Sequence, residues 1–269
     1  MVNESPSEMR PLALPPWVVM HVPHDATIVP LDVRAQLLLT DEELQAELCR
    51  MTDHFTEALF TTRVGDAVVV RALVSRLVVD VERFADDAAE PMASLGMGAI
   101  YRVTSSLAPL RRELSDDERA SLMRAWYHPH HDRLEKAVGA AVGRYGRCLI
   151  VDCHSFPSKR LPYEQGDASH LRPDICIGTD SFHTSGEIAA AFTTAFRDSG
   201  WTVSINEPFA GAIGPASRYG RDSRVGAVMI EVNRRLYLNE VDATRGPDFD
   251  DVAARIRACC VKAISLVSS

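Results

Sequence analysis

The segment CLIVDCHSF, residues 148–156, is the strongest sign of the fold in this sequence. It is a short, continuous apolar run, which is typical of a central strand covered on both faces by other elements. Such strands belong to mostly parallel sheets, whose crossover helices cover the two faces. Comparable runs occupy 17–22, 174–180, 201–206 and 226–232, and the valine-rich segment 66–80 predicts one or two further strands.

Two capping boxes mark the starts of helices between these strands. Thr40 pairs with Glu43, and Ser115 pairs with Glu118. Pro129 should kink or split the second helical region. The helical patterns cover 44–59, 115 to about 145, 185–198 and 248–266. Strands separated by helices predict a single α/β domain over residues 1–269, with a mostly parallel central sheet and helices on both faces.

The composition narrows the classes of function. The chain has 269 residues and a formal net charge of −8, which argues against nucleic acid and anionic membranes as partners, because both attract basic surfaces. No apolar run reaches the roughly 18 residues of a membrane-spanning helix. The six cysteines form no C-x-x-C pair and lie mostly in apolar runs, which predicts reduced, buried thiols in a cytoplasmic protein. The oligomeric state is not predicted.

Polar side chains follow several of the predicted strands. In open α/β sheets, sites form beyond the carboxyl ends of the strands. His21 and His24 follow the first strand, His154 lies near the end of the central run, and Glu231 interrupts a later one. Two histidines and an acid suit a catalytic zinc site, which takes three protein ligands and leaves one position for water. His24 fits a structural loop histidine equally well, because histidine serves both purposes.

Other candidates have structural readings beside the functional ones. A buried carboxylate is costly without a partner, which favours a cation or metal beside Glu231. Asp152 precedes His154 and is expected either to bind backbone or to orient a ligand histidine. Asp53 taken alone is a solvated acid within a helix. Of the histidines in HPHH, residues 128–131, His131 is the one we place near the active site.

Nine segments, taken in order, resemble the N-formylglutamate amidohydrolase family. They are VPHDATIVP, TDHFTEALF, SRLVVDVERF, GMGAIYR, YHPHHDRL, VDCHSFPSKRLPYE, RPDICIGTD, NEPFAGAI and VMIEVNRRLYLNE. The resemblance covers about His21 to Glu240. It implies a zinc-dependent hydrolase with the phosphorylase/hydrolase-like α/β fold that zinc carboxypeptidases share. The implied reaction is cleavage of N-formyl-L-glutamate to formate and L-glutamate, in histidine degradation.

The same resemblance implies roles for individual residues. One Zn²⁺ ion would be held by His24, Asp53 and His154, with Asp25 as the competitor of Asp53. Glu231 would transfer the proton, and an arginine or His131 would help the zinc ion to stabilise the oxyanion. The planar fork of arginine suits the two carboxylates of the substrate. The residues expected to bind substrate are Arg76, Arg234, Arg102, Arg83 and Asn206.

Two alternatives stay open at the level of sequence. The chain is also compatible with a zinc amidase acting on another N-acyl amino acid or a peptide-like amide. A protein that binds a metal or a ligand without turnover is the alternative from another class. Both enzymatic interpretations, the N-formylglutamate amidohydrolase and the other zinc amidase, predict a small N-acyl amino acid as the substrate.

Overall fold

A computed structural model describes residues 14–61, 67–164 and 172–267. Its centre is a six-stranded sheet with the order β2-β1-β3-β6-β4-β5. The strands are β1 Val18–Val22, β2 Val68–Arg71, β3 Cys148–Phe156, β4 Ile175–Gly178, β5 Val203–Ile205 and β6 Val225–Asn233. Every neighbouring pair is parallel except β4 with β6. The prediction of a mostly parallel α/β sheet is therefore confirmed.

The helices alternate with the strands along the chain. They are α1 Leu31–Arg34, α2 Asp41–Met51, α3 Thr56–Phe60, α4 Asp116–Leu122, α5 His128–Tyr145, α6 Gly186–Asp198 and α7 Phe249–Leu266. A π-helical turn, Met123–Tyr127, joins α4 to α5, so the irregularity expected at Pro129 falls just before it. Pro129 lies in the first turn of α5, directly after the π-helical turn. No helix in the described residues is long and apolar enough to span a membrane.

Shorter elements complete the chain. Two 3₁₀ turns cover Pro91–Leu95 and Arg234–Leu236. The strands β7 Leu238–Asn239 and β8 Thr244–Arg245 form a separate antiparallel ribbon. Both predicted capping boxes are present, with the Thr40 and Ser115 side chains each accepting from the backbone of the glutamate three residues later.

Helices cover both faces of the sheet. All nine residues of β3 are buried, as its apolar run predicted. Successive side chains of a strand point to opposite faces. On one face, Asp152 bonds His21, which bonds His130 of α5. On the other, the Cys153 thiol lies beside Cys260 of α7.

Two predicted elements are shorter in the structure. In each case a residue of the site, Asp53 or Asp80, lies in a loop or turn instead of in the predicted element. The helix expected over 44–59 breaks after Met51, where Thr52 is extended with a ψ of 136°, and Phe55 with a left-handed φ of 63° then begins α3. The Asp25 carboxylate accepts the Phe55 backbone N–H at 2.7 Å, which holds this break. Among the described residues 67–80 of the valine-rich segment, the only strand is β2, and residues 72–80 form loops; residue 66 lies outside the described residues. Because the predicted helix breaks after Met51, Asp53 lies in the turn between α2 and α3.

Candidate active site

The register of the central strands brings His154 and Glu231 together. These residues are direct partners on β3 and β6, which are parallel, so their side chains leave the same face of the sheet. β1 pairs with the other side of β3, with His21 opposite Asp152. The chain then leaves the sheet and presents His24 at the same carboxyl edge. The sheet therefore carries two of the four predicted central residues, and the loop after β1 carries a third.

Three ligand atoms converge at this edge. His24 Nδ1 lies 3.3 Å from His154 Nδ1, and Asp53 Oδ2 lies 3.2 Å from His154 Nδ1 and 3.7 Å from His24 Nδ1. All three residues are buried. Ligands bound tetrahedrally at ordinary zinc distances stand roughly 3.4 Å apart. This group, which we call the His-Asp-His triad, has the donor types and spacing that hold a divalent cation.

Asp53 occupies the third position because of long-range contacts. Its backbone N–H donates to the His24 carbonyl at 3.0 Å, and its Oδ1 accepts from Arg234 at 2.9 Å. Burial raises the pKa of Asp53, but His154, His24 and Arg234 outweigh burial and hold it well below its usual range. Asp25, the competing candidate, instead accepts the backbone N–H groups of Phe55 and Glu57. The structure therefore puts Asp53, and not Asp25, beside the two histidines.

Each histidine of the triad is held through its second nitrogen by a buried aspartate. His24 Nε2 bonds Asp80 Oδ1 at 2.8 Å, and His154 Nε2 bonds Asp152 Oδ1 at 3.0 Å. Both aspartates are fully buried. A proton donated from Nε2 leaves the Nδ1 lone pair of each ring for a metal. Sequence reasoning considered this role for Asp152 but missed Asp80, which lies in a loop within VVD.

A second group of possible ligand atoms lies behind the first. His21 Nδ1 is 2.9 Å from Asp152 and 3.1 Å from Glu82, a spacing that is also compatible with a metal. Burial lowers the pKa of His21, but Asp152 and Glu82 outweigh it and raise the pKa to about 9. His21 Nε2 also meets His130 Nε2 at 2.8 Å. A protonated His21, with a donor on each nitrogen, satisfies these contacts without an ion.

Glu231 lies beside the triad with an uncommitted oxygen. Burial raises the pKa of Glu231 to about 8, against the opposing effects of His154 and Arg234. Its Oε2 atom is buried and has no hydrogen-bond partner in the described residues. A carboxyl group that holds its proton near neutral pH and faces a cavity is suited to proton transfer.

The triad and Glu231 open onto a cavity of about 580 Å³. Four other predicted site residues line it: His131, Arg76, Arg83 and Arg234. The segment after β5, including Phe209 to Gly214, forms part of its wall. A concave site of this volume, with a few convergent polar groups, is typical of small-molecule binding.

Comparisons with known proteins identify the family. The sequence profile of the N-formylglutamate amidohydrolase family matches residues 17–238. This chain belongs to the N-formylglutamate amidohydrolase family. The match confirms the resemblance drawn from the nine segments, and it makes the protein a hydrolase of an amide in a small molecule. No curated protein matches the chain by sequence.

Solved structures confirm the fold of this amidohydrolase. The crystal structure of N-formylglutamate amidohydrolase from Ralstonia eutropha JMP134 aligns with a TM-score of 0.80 and 23% identity, covering 94% of each chain. The gene product Atu2144 from Agrobacterium tumefaciens aligns with a TM-score of 0.68 and 20% identity, covering 94% of this chain and 92% of its own.

Two residues expected to bind substrate lie elsewhere in the amidohydrolase. Arg102 is exposed, outside the cavity lining, and its guanidinium reaches the Ala93 carbonyl at 3.5 Å. Asn206 is also exposed and outside the lining, and its side chain bonds the Thr179 backbone N–H and hydroxyl at 2.8 Å each. Asn206 has a φ of 58°, which asparagine tolerates better than most residues. The two hydrogen bonds to Thr179 hold the turn at Asn206, which is a structural role.

Proposed function

We propose that this amidohydrolase cleaves N-formyl-L-glutamate to formate and L-glutamate, using one zinc ion held by His24, Asp53 and His154. The observation that carries the proposal is the convergence of three ligand atoms beside Glu231, a buried acid with a raised pKa. Two imidazoles and one carboxylate are a donor set that zinc accepts in hydrolases. When bound, zinc would polarise the amide carbonyl and lower the pKa of water at the site to about 7.

Glu231 is proposed as the general base and then the general acid. As a carboxylate it takes the proton from the water that attacks the formyl carbon. It then returns that proton to the amide nitrogen as the C–N bond breaks and L-glutamate leaves. Burial helps the second step, because it makes the protonated form persist near neutral pH.

His131 is proposed as a hydrogen-bonding contact in the cavity. Its Nε2 lies 3.0 Å from the Val81 carbonyl, which can only accept, so this nitrogen carries the proton. Burial and the neighbouring His21 lower the pKa of His131, and its other nitrogen is then an acceptor. An acceptor suits the N–H of the substrate better than a developing oxyanion, which needs donors.

The test compares metal content with formate release. We expect one zinc per chain and loss of formate release from N-formyl-L-glutamate on chelation. Glu231→Gln should keep the metal and lose at least about 100-fold in kcat, the scale of a general acid–base catalyst. Glu187→Gln, an exposed glutamate of α6, is the matched control and should keep full activity. Full activity of Glu231→Gln, or of metal-free protein, would contradict the mechanism.

A related substrate is the second candidate, because the cavity is large. N-formylglutamate has twelve heavy atoms, and even at the roughly 30 Å³ that a water molecule occupies in the liquid they fill about 360 Å³. The cavity measures about 580 Å³. The spare volume favours testing longer N-acyl groups in the same assay, beginning with N-acetyl-L-glutamate. Faster release of acetate than of formate would replace the proposed substrate.

The wider context forms part of the proposal. A role in histidine degradation follows from the family substrate. A cytoplasmic location is supported by the cysteines of the described chain, which are all free thiols. We also propose that residues 1–269 form one domain.

A further inference from the structure

The arginines that line the cavity differ in how many of their N–H donors already have an acceptor within the protein. Arg76 donates twice to Asp80, at 2.7 and 3.2 Å. Arg234 donates to Asp53 at 2.9 Å and to the Ser155 hydroxyl at 3.2 Å. These two guanidinium groups therefore hold the acids of the metal site in place. Arg234 therefore retains little capacity for a substrate carboxylate, and the charge of Arg76 is already paired with Asp80.

Arg83 is differently placed. Its guanidinium approaches Asp80 and Glu90 only to 3.7 and 3.8 Å, distances at which no hydrogen bond forms. Its Nε is buried and has no hydrogen-bond partner among the described residues. The Arg83 side chain is only 22% exposed, so its N–H donors are partly shielded from water. A hydrogen bond to an incoming anion therefore stabilises them more than it would at the surface.

Arg221 is the second uncommitted arginine of the lining. Its guanidinium makes no hydrogen bond or ion pair within the part of the chain that the structure describes. It lies two residues after Tyr219, whose ring packs edge-to-face on Phe84 with centroids 6.3 Å apart. Phe84 directly follows Arg83, so this ring pair brings the two arginine-bearing segments together at the cavity. Arg50, also in the lining, is bound to the buried Glu47 at 3.3 Å.

We infer that Arg83 and Arg221 bind the two carboxylates of an N-acyl dicarboxylic amino acid, an inference that rests on the function proposed above. A guanidinium fork matches a carboxylate; Arg83 meets its own acids only at ion-pair distance, and Arg221 is exposed at the cavity. Arg83 binds the α-carboxylate, which is next to the scissile amide, because Asp80 connects Arg83 to the triad residue His24. Arg221, for which the described residues show no such connection, binds the side-chain carboxylate.

The experiment removes one charge at a time from enzyme and substrate. Arg83→Gln and Arg221→Gln are assayed with N-formyl-L-glutamate, with N-formyl-L-glutamine, which lacks the side-chain charge, and with N-formyl-L-isoglutamine, which lacks the α-charge. Arg144→Gln, an exposed arginine on α5, is the matched control. Arg221→Gln should lower kcat/KM for N-formyl-L-glutamate about 10- to 100-fold, the scale of a charge-assisted pair, and leave N-formyl-L-glutamine unaffected. Arg83→Gln should show the same pattern with N-formyl-L-isoglutamine as the unaffected substrate.

A binding measurement separates this inference from the proposed reaction. Titration calorimetry with L-glutamate, L-glutamine and L-isoglutamine reports carboxylate recognition without turnover. If wild-type protein releases no formate but binds L-glutamate, and each variant loses only its own charge preference, the proposed reaction fails and the inference stands. Equal losses on all three ligands, or no loss in either variant, overturn the inference even if formate release is confirmed. An exchange of the two patterns overturns the assignment of the carboxylates.

Discussion

Replacing Asp152 by asparagine should weaken metal binding without removing a metal ligand. Asp152 is fully buried, and its Oδ1 lies 3.0 Å from His154 Nε2 and 2.9 Å from His21 Nδ1. Asparagine keeps the size of the side chain and one acceptor oxygen, so the hydrogen bond to His154 can persist without its charge. The change therefore tests how far the aspartate increases the electron density on His154 Nδ1.

The magnitude follows from the loss of charge. A hydrogen bond to a charged group contributes about 1.5–3 kcal/mol, against about 0.5–1.5 kcal/mol for a neutral one. The difference of about 1–1.5 kcal/mol corresponds to roughly a tenfold weaker zinc Kd. This is the lower end of the 10- to 100-fold range measured for residues that orient metal-bound histidines. Glu82 stays 3.1 Å from His21, so His21 keeps one carboxylate partner and the fold should survive.

The assay is competition for zinc with a chromophoric chelator, with far-ultraviolet circular dichroism as a check of folding. Asp198→Asn is the control, because Asp198 is an exposed aspartate paired with Lys262 on the surface, and its zinc Kd should not change. Denaturant unfolding of the chelated proteins separates stability from affinity. A folded Asp152→Asn protein with the wild-type zinc Kd would refute the claim that Asp152 tunes the metal site through His154.

Two further predictions concern the proton-transferring acid and the cavity wall. Burial raises the pKa of Glu231 from 4.5 to about 8, and the base form is the carboxylate, so kcat/KM should fall as the pH drops through this pKa. A nearby metal ion lowers the pKa of Glu231, so the fall in kcat/KM on the acidic side should lie between pH 4.5 and about 8. The residual activity of Glu231→Gln should not show this fall. A Cβ at Gly178 would stand 2.5 Å from the Gly211 carbonyl and closer still to the Met229 methyl, so Gly178→Ala should cost about 1–3 kcal/mol of unfolding free energy and raise KM. The control, Gly143→Ala in α5, meets no atom within 4 Å and should not lose stability, and a Gly178→Ala protein with the wild-type unfolding free energy would show that the Gly178 contact carries no strain.

The sheet and its site residues were predictable where a local pattern carries the information. The run 148–156 became β3 with the same limits, because a strand buried on both faces needs apolar side chains on both sides. His154 and Glu231 stood out as polar groups inside such runs. They are neighbours because β3 and β6 pair in parallel. The nine family segments, taken in order, indicated that both residues belong to one site.

The errors fall where local periodicity competes with distant contacts. Apolar spacing continued through 44–59, yet the helix breaks where Asp25 accepts the backbone of Phe55, thirty residues along the chain. The valine-rich segment up to Asp80 has strand propensity, but its end leaves the sheet and meets His24, fifty-six residues away. Arg102 and Asn206 lie in segments that resemble the family, and their side chains point to local partners. Arg221 carries no sequence signal that distinguishes it from a surface arginine.

Order along the chain and hydrophobic period are properties of the sequence alone, and they suffice for the α/β class, the central strand and the residues at strand ends. The third metal-ligating acid, the aspartates behind the histidines and the arginines that keep free donors depend on which atoms meet across a hundred residues, as His154 and Asp53 do. Such contacts arise only when the sheet closes and loops pack on its carboxyl edge. Burial and the neighbouring charges created there set the pKa of each acid, and no single segment contains that information.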